Sequence, residues 1–156
     1  MQLPKDKNVP INLLSACFNN TSATYKFYWF LSILEAVEEG HLQIEKRSLF
    51  ARMISLSWYT VNYFHVSFGK QDNIQQAIQD IKIWEQIEID FSQKNILEKL
   101  LNSNDKRTIS TLKHFDLNVP HKFLSPWLGT GTSFNIYKKS QEKMSSAPYS
   151  LYKDHI

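Results

Sequence analysis

Four side chains capable of chemistry fall on one line of a helical pattern: Arg52, Ser55, Tyr59 and Asn62, at i, i+3, i+7 and i+10. An arginine beside hydroxyl and amide groups can grip a phosphate and leave an aromatic face for stacking. Apolar residues flank this line on both sides, so it also reads as an internal, mutually satisfied hydrogen-bond network. A second set lies further on, where Lys113, Lys122, Lys138 and Lys139 are interleaved with Phe123, Trp127 and Tyr137. Cations alternating with stackable rings suit a nucleic-acid surface, and the same mixture is ordinary on solvated helices. Lys70, in the loop Ser67-Phe-Gly-Lys-Gln71, adds one more cation. The candidate nucleic-acid-binding residues are therefore Arg52, Tyr59, Asn62, Lys70, Lys113, Lys122, Lys138 and Lys139.

Other chemistries find no constellation. The five histidines show neither the close pairing nor the accompanying cysteines of a zinc site. His114 and His121 are separated by Pro120 and cannot share a helical face. Gly129-Thr-Gly-Thr132 has no Gly-Lys-Ser/Thr ending, so a phosphate-cradling loop is not expected. Cys17 stands alone between Ala16 and Phe18, which reads as a small buried hydrophobe and excludes an intrachain disulfide. Neither it nor any serine has a recognisable base or acid partner, so no catalytic residue is assigned.

Stepping from these residues to what must position them, 156 residues are enough for one domain with a full core. Aromatic residues make up 13% of the chain and there are only four glycines, a composition that favours long helices packed through large side chains. Charge is lopsided: residues 1–105 carry a net −2 and residues 106–156 a net +5. The basic end is the expected polyanion-facing surface. Met1 to Asn8 lacks the apolar core of a secretory signal, and Phe27 to Leu34 is too short to span a bilayer, so a cytoplasmic protein without a membrane partner is expected.

Periodicity predicts a short helix from Ile11 to Phe18, then a long one, capped by Thr21 or Ser22, that ends at Gly40. Its two apolar stripes are Phe27, Phe30, Leu31, Leu34 and Val37, and Tyr25, Trp29, Ile33 and Ala36. They predict burial on most of its circumference, as the central post of the fold. Leu42 and Ile44 suggest a brief extended segment, with Ile87 to Phe91 as its pairing partner. Further helices are expected from Ser48 to His65, after Asp72, after Ser92, after Asp105 to near His114, and after Ser133. The overall expectation is all-α: one compact helical domain of about five to seven helices, with at most a minimal two-stranded pairing.

Three stretches then carry a resemblance. They are Cys17-Phe-Asn-Asn-Thr-Ser-Ala-Thr-Tyr-Lys-Phe-Tyr-Trp-Phe30, then Ala51-Arg-Met-Ile54 through Trp58-Tyr-Thr-Val-Asn-Tyr-Phe-His-Val-Ser-Phe-Gly-Lys-Gln-Asp72, and His114-Phe-Asp116 continuing to Val119-Pro-His-Lys-Phe-Leu-Ser-Pro-Trp127. Together they resemble the N-terminal region of bacterial HNH endonuclease domain-containing proteins, and Leu151-Tyr-Lys-Asp-His-Ile156 matches an internal point of the same group. An HNH centre needs a histidine base, a metal-binding Asp or His and an asparagine on a ββα hairpin holding one divalent ion. That set is not found here, although Asp154-His155 has the look of its opening. The resemblance thus implies a module that precedes a nuclease domain, with the divalent metal belonging to that domain and no cofactor in this chain. Residues 1–128 are expected as a helical core and 129–156 as a connector and C-terminal helical segment leading toward the nuclease domain. DNA and that domain are the implied partners. The different-class alternative is a helical protein-interaction or scaffolding domain.

Overall fold

A computed structural model describes residues 10–19, 24–68, 73–142 and 146–156. Thr21, Ser22, Lys70 and Asp72, proposed above as caps or as a binding residue, lie outside the described residues. Those described form seven helices of seven residues or more: α1 (Ile11–Cys17), α2 (Tyr25–Glu38), α3 (Lys46–Asn62), α4 (Asn73–Trp84), α5 (Gln93–Leu101), α6 (Lys106–His114) and, near the C-terminus, α9 (Ser133–Ser140). Between α6 and α9 the chain turns through a 3-10 helix at Phe115–Leu117 and two short helices, α7 (Val119–Phe123) and α8 (Ser125–Leu128). The fold is all-α.

The caps follow local chemistry. Ser92 accepts a hydrogen bond from the Asn95 amide at 3.2 Å and opens α5, and Asp105 accepts from the Arg107 amide at 2.8 Å and opens α6. Thr132, rather than Ser133, caps α9 by accepting from the Asn135 amide at 3.4 Å. Gly40 ends α2 at φ +89°, a conformation that favours glycine.

The post of the fold is α3, not α2. Twelve of its residues are buried, including Leu49, Phe50, Met53, Ile54, Trp58 and Val61, and it packs against α2, α4, α5 and α6. Its apolar residues on two faces meet helices from several directions, which is what central placement requires. In α2 only Trp29, Ser32 and Ala36 are buried; of the other stripe Phe30 packs on Phe123, whereas Phe27, Leu31, Leu34 and Val37 stay 41–49% exposed, Phe27 with one side stacked on Phe18. Both stripes of α2 are apolar, so periodicity could not tell which one meets α3. The helix expected to reach His65 ends at Asn62, and Tyr63 and Phe64 stand exposed beyond it.

The extended segment exists with a different partner. Ile44 and Ile156 exchange backbone hydrogen bonds of 3.0 and 2.9 Å, the Lys46 amide donates to the Asp154 carbonyl at 2.9 Å, and Glu45 forms an antiparallel bridge with His155. Ile87 is buried in the core instead of pairing there. The C-terminal segment is thereby sewn to the start of α3, with Leu151 fully buried and Tyr149 donating to the Pro120 carbonyl at 2.7 Å. Tyr149 in turn accepts from Trp29 Nε1 at 2.9 Å.

Candidate nucleic-acid interface

The polar stripe of α3 is engaged inside the molecule. Arg52 is 6% exposed; its Nη1 donates to Glu39 Oε1 at 2.9 Å, its Nη2 donates to Glu39 Oε2, and Glu35 lies 3.7 Å away. The guanidinium holds the Glu39 carboxyl below its ordinary value, chiefly through that hydrogen bond. Ser55 donates to the Arg52 carbonyl, Asn62 to the Trp58 carbonyl at 3.2 Å, and Tyr59 to the Phe91 carbonyl at 2.8 Å. Of the two readings open for this line, the internal network describes the geometry. Its chemistry fastens α3 to the end of α2 and to the segment before α5.

A second internal cluster, not foreseen from the sequence, stands at the start of α3. Lys46 is 3% exposed and donates to Asp116 Oδ1 at 2.9 Å, to the Tyr137 hydroxyl and to the Lys153 carbonyl at 3.0 Å. Burial raises the Tyr137 hydroxyl above its ordinary value despite the neighbouring ammonium, so this phenol stays protonated and is not an activated base. The partners lie far apart in the chain, and no local spacing signals them. The cluster joins α3, the 3-10 turn, α9 and the C-terminal segment.

The four remaining lysines, Lys113, Lys122, Lys138 and Lys139, are all exposed. Lys138 sits on an outward face of α9, where Phe134, Tyr137, Lys138 and Gln141 follow at i, i+3, i+4 and i+7 and line, with Ser133, a shallow depression. Phe134 is 75% exposed, a ring with no core role. Lys139, next along the helix, reaches back to the Leu128 carbonyl at 3.1 Å. The i, i+3, i+4, i+7 spacing from Phe134 is the sequence signal for this face, whereas the ring Phe123 that lies between the lysines in sequence is buried. Lys122 borders a separate polar cleft of about 170 Å³ with Tyr25, Asn73, His114, Phe115, Asn118 and Val119. Lys113 is the residue before His114 at the end of α6.

Chemically, the α9 face offers a flat ring, the outer side of a half-buried phenol and an ammonium, which suits a stacked base beside a phosphate, while the Gln141 amide is held by the Leu151 carbonyl at 2.5 Å. The cleft offers an ammonium, an imidazole and two amides. Among the described residues no three His, Cys, Asp or Glu side chains come together as metal ligands, and no helix is long and apolar enough to cross a membrane. Cys17 is buried, hydrogen-bonded to the Phe123 carbonyl at 3.4 Å, and burial pushes its thiol up to about 11, well away from nucleophilic use. Compared with protein-family models, with curated proteins and with solved structures, the chain gives no match in any of the three.

Proposed function

We propose that this chain is a non-catalytic helical module that engages nucleic acid through the α9 face, with Phe134 and Tyr137 as stacking surfaces and Lys138 as the phosphate contact. The observation that carries the reading is the exposed Phe134 ring set one helical turn from Lys138 on the same outward face. Lys122 and Lys113, with the net +5 of residues 106–156, extend the favourable field around it. Arg52, Tyr59 and Asn62 take no part in binding, since their polar atoms are bonded within the fold. Bond cleavage is assigned to a separate HNH domain and its divalent ion; that assignment is supported by the resemblance of the three stretches described above.

Fluorescence anisotropy with a labelled single-stranded oligonucleotide tests the reading. Phe134→Ala should weaken binding about tenfold, the worth of one stacked base. Lys138→Glu combined with Lys139→Glu should lower the slope of log K against log salt by roughly 1 to 2. Binding that is absent at low salt, or indifferent to both variants, contradicts it. A second reading, a protein-docking domain, is favoured by the exposed apolar face of α2.

A further inference from the structure

Among the described residues an apolar helical face without a partner lies on α2. Phe27, Leu31, Leu34 and Val37 are each 41–49% exposed, while the opposite side of the same helix buries Trp29, Ser32 and Ala36. Leu42, just past the helix, is 92% exposed. Scaled by ordinary side-chain areas, the four helical residues present roughly 300 Å² and Leu42 raises this toward 500 Å², a patch of the size that marks an interaction site. The spacing 27, 31, 34 alternates four and three, the interval at which one helix seats another.

We propose that the occupant of this face is the α2 helix of a second copy of the chain, packed antiparallel about a two-fold axis. Charge selects this occupant and this orientation. Lys26 precedes the stripe and Glu38 follows it. Glu38 is exposed and has no hydrogen-bond or ion-pair partner among the described residues, and Lys26 uses one donor on the Cys17 carbonyl at 3.1 Å, leaving two. With the axis between residues 32 and 33, Leu31 of one copy meets Leu34 of the other. Lys26 then comes level with Glu38 of the other copy to within about one residue's rise, ~1.5 Å. A parallel pairing instead sets Glu38 against Glu38 and aligns the two helix dipoles unfavourably. Two such faces bury roughly 600–1,000 Å² in total, below the ~1,200 Å² of a standard stable interface, so the dimer is weak and reversible. This surface is separate from the α9 face, and the two proposals stand or fall independently.

Sedimentation velocity on the purified protein between about 10 and 1,000 μM should show the mass rise from one copy to two and stop there, the range a marginal interface of this size reaches. Leu31→Asp should remain monomeric throughout, with a thermal transition lowered by no more than a few degrees because Leu31 keeps 42% of its surface exposed in the single copy. Glu38→Lys should weaken the dimer about tenfold, and adding Lys26→Glu to it should restore association, as a swapped charge pair does. Mass that never leaves one copy overturns the proposal. So does self-association that survives Leu31→Asp, continues past two copies, or ignores the charge swap.

Discussion

Arg52 and Lys46 show how a cation can be claimed by the interior. Each is buried: Arg52 is met by Glu35 and by Glu39 at the end of the preceding helix, and Lys46 by Asp116, the Tyr137 hydroxyl and the Lys153 carbonyl. Removing such a cation strands its partners, and Asp116 keeps about a third of its surface exposed, which softens the loss. Lys46→Met should therefore destabilise the fold by about 2–3 kcal/mol in urea titration. A change under about 0.5 kcal/mol would show that the cluster is decorative. His121 gives a residue-scale pH dependence. Burial foremost, helped by Lys122 and Lys46 and opposed by Asp116, holds its imidazole below the ordinary 6.5. The unfolded chain thus binds the proton more readily than the folded one. The contribution is complete above pH 6.5 and is lost as the pH falls through the depressed folded value. The urea midpoint should drop between pH 7.5 and 5.5, and His121→Gln should flatten that drop; an equal drop in the variant would place the effect elsewhere.

At the scale of elements, much was legible because the signals are local. Ser92, Asp105 and Gly40 carry the hydrogen-bonding or conformational preference that starts or stops a helix, and they do so in the structure. What could not be read depends on tertiary choice. The two apolar stripes of α2 are equivalent to a periodicity argument, and only the position of α3 decides which is covered. The segment at Leu42 and Ile44 was recognisable as extended, but its pairing with Ile156 spans over a hundred residues and competes on equal terms with a nearer apolar run. The C-terminal segment illustrates the consequence: the stretch 129–156, expected as a connector and helical segment, is fastened by Leu151, Tyr149 and the Ile44 pairing. Leu151→Ala should cost about 2–4 kcal/mol, the value for a fully buried leucine, measured by chemical denaturation. A loss near zero would mean that this segment frays without disturbing α3.

On the whole-molecule scale, the chain divides its polar resources. Buried arginine and lysine hold the helices in register, while the described cations of residues 106–156 are exposed to solvent. The candidate interface was legible in part: Lys138 and Tyr137 were singled out by type, but the face they occupy is defined by Phe134 and Gln141, which become meaningful only once α9 is seen to turn them outward. Arg52, the strongest phosphate candidate by chemistry, belongs to the core, as the apolar residues flanking its line allowed, but its partner Glu39 at the end of the preceding helix carries no local signal. The central claim, recognition without chemistry at the α9 face, is tested most directly by recording the backbone amide NMR spectrum of the isotope-labelled protein while a single-stranded oligonucleotide is added at low salt. The account predicts shifts concentrated on Phe134, Tyr137, Lys138 and Gln141, with the α3 amides of Arg52, Tyr59 and Asn62 unmoved. Shifts centred on α3, or none anywhere on α9, would contradict it.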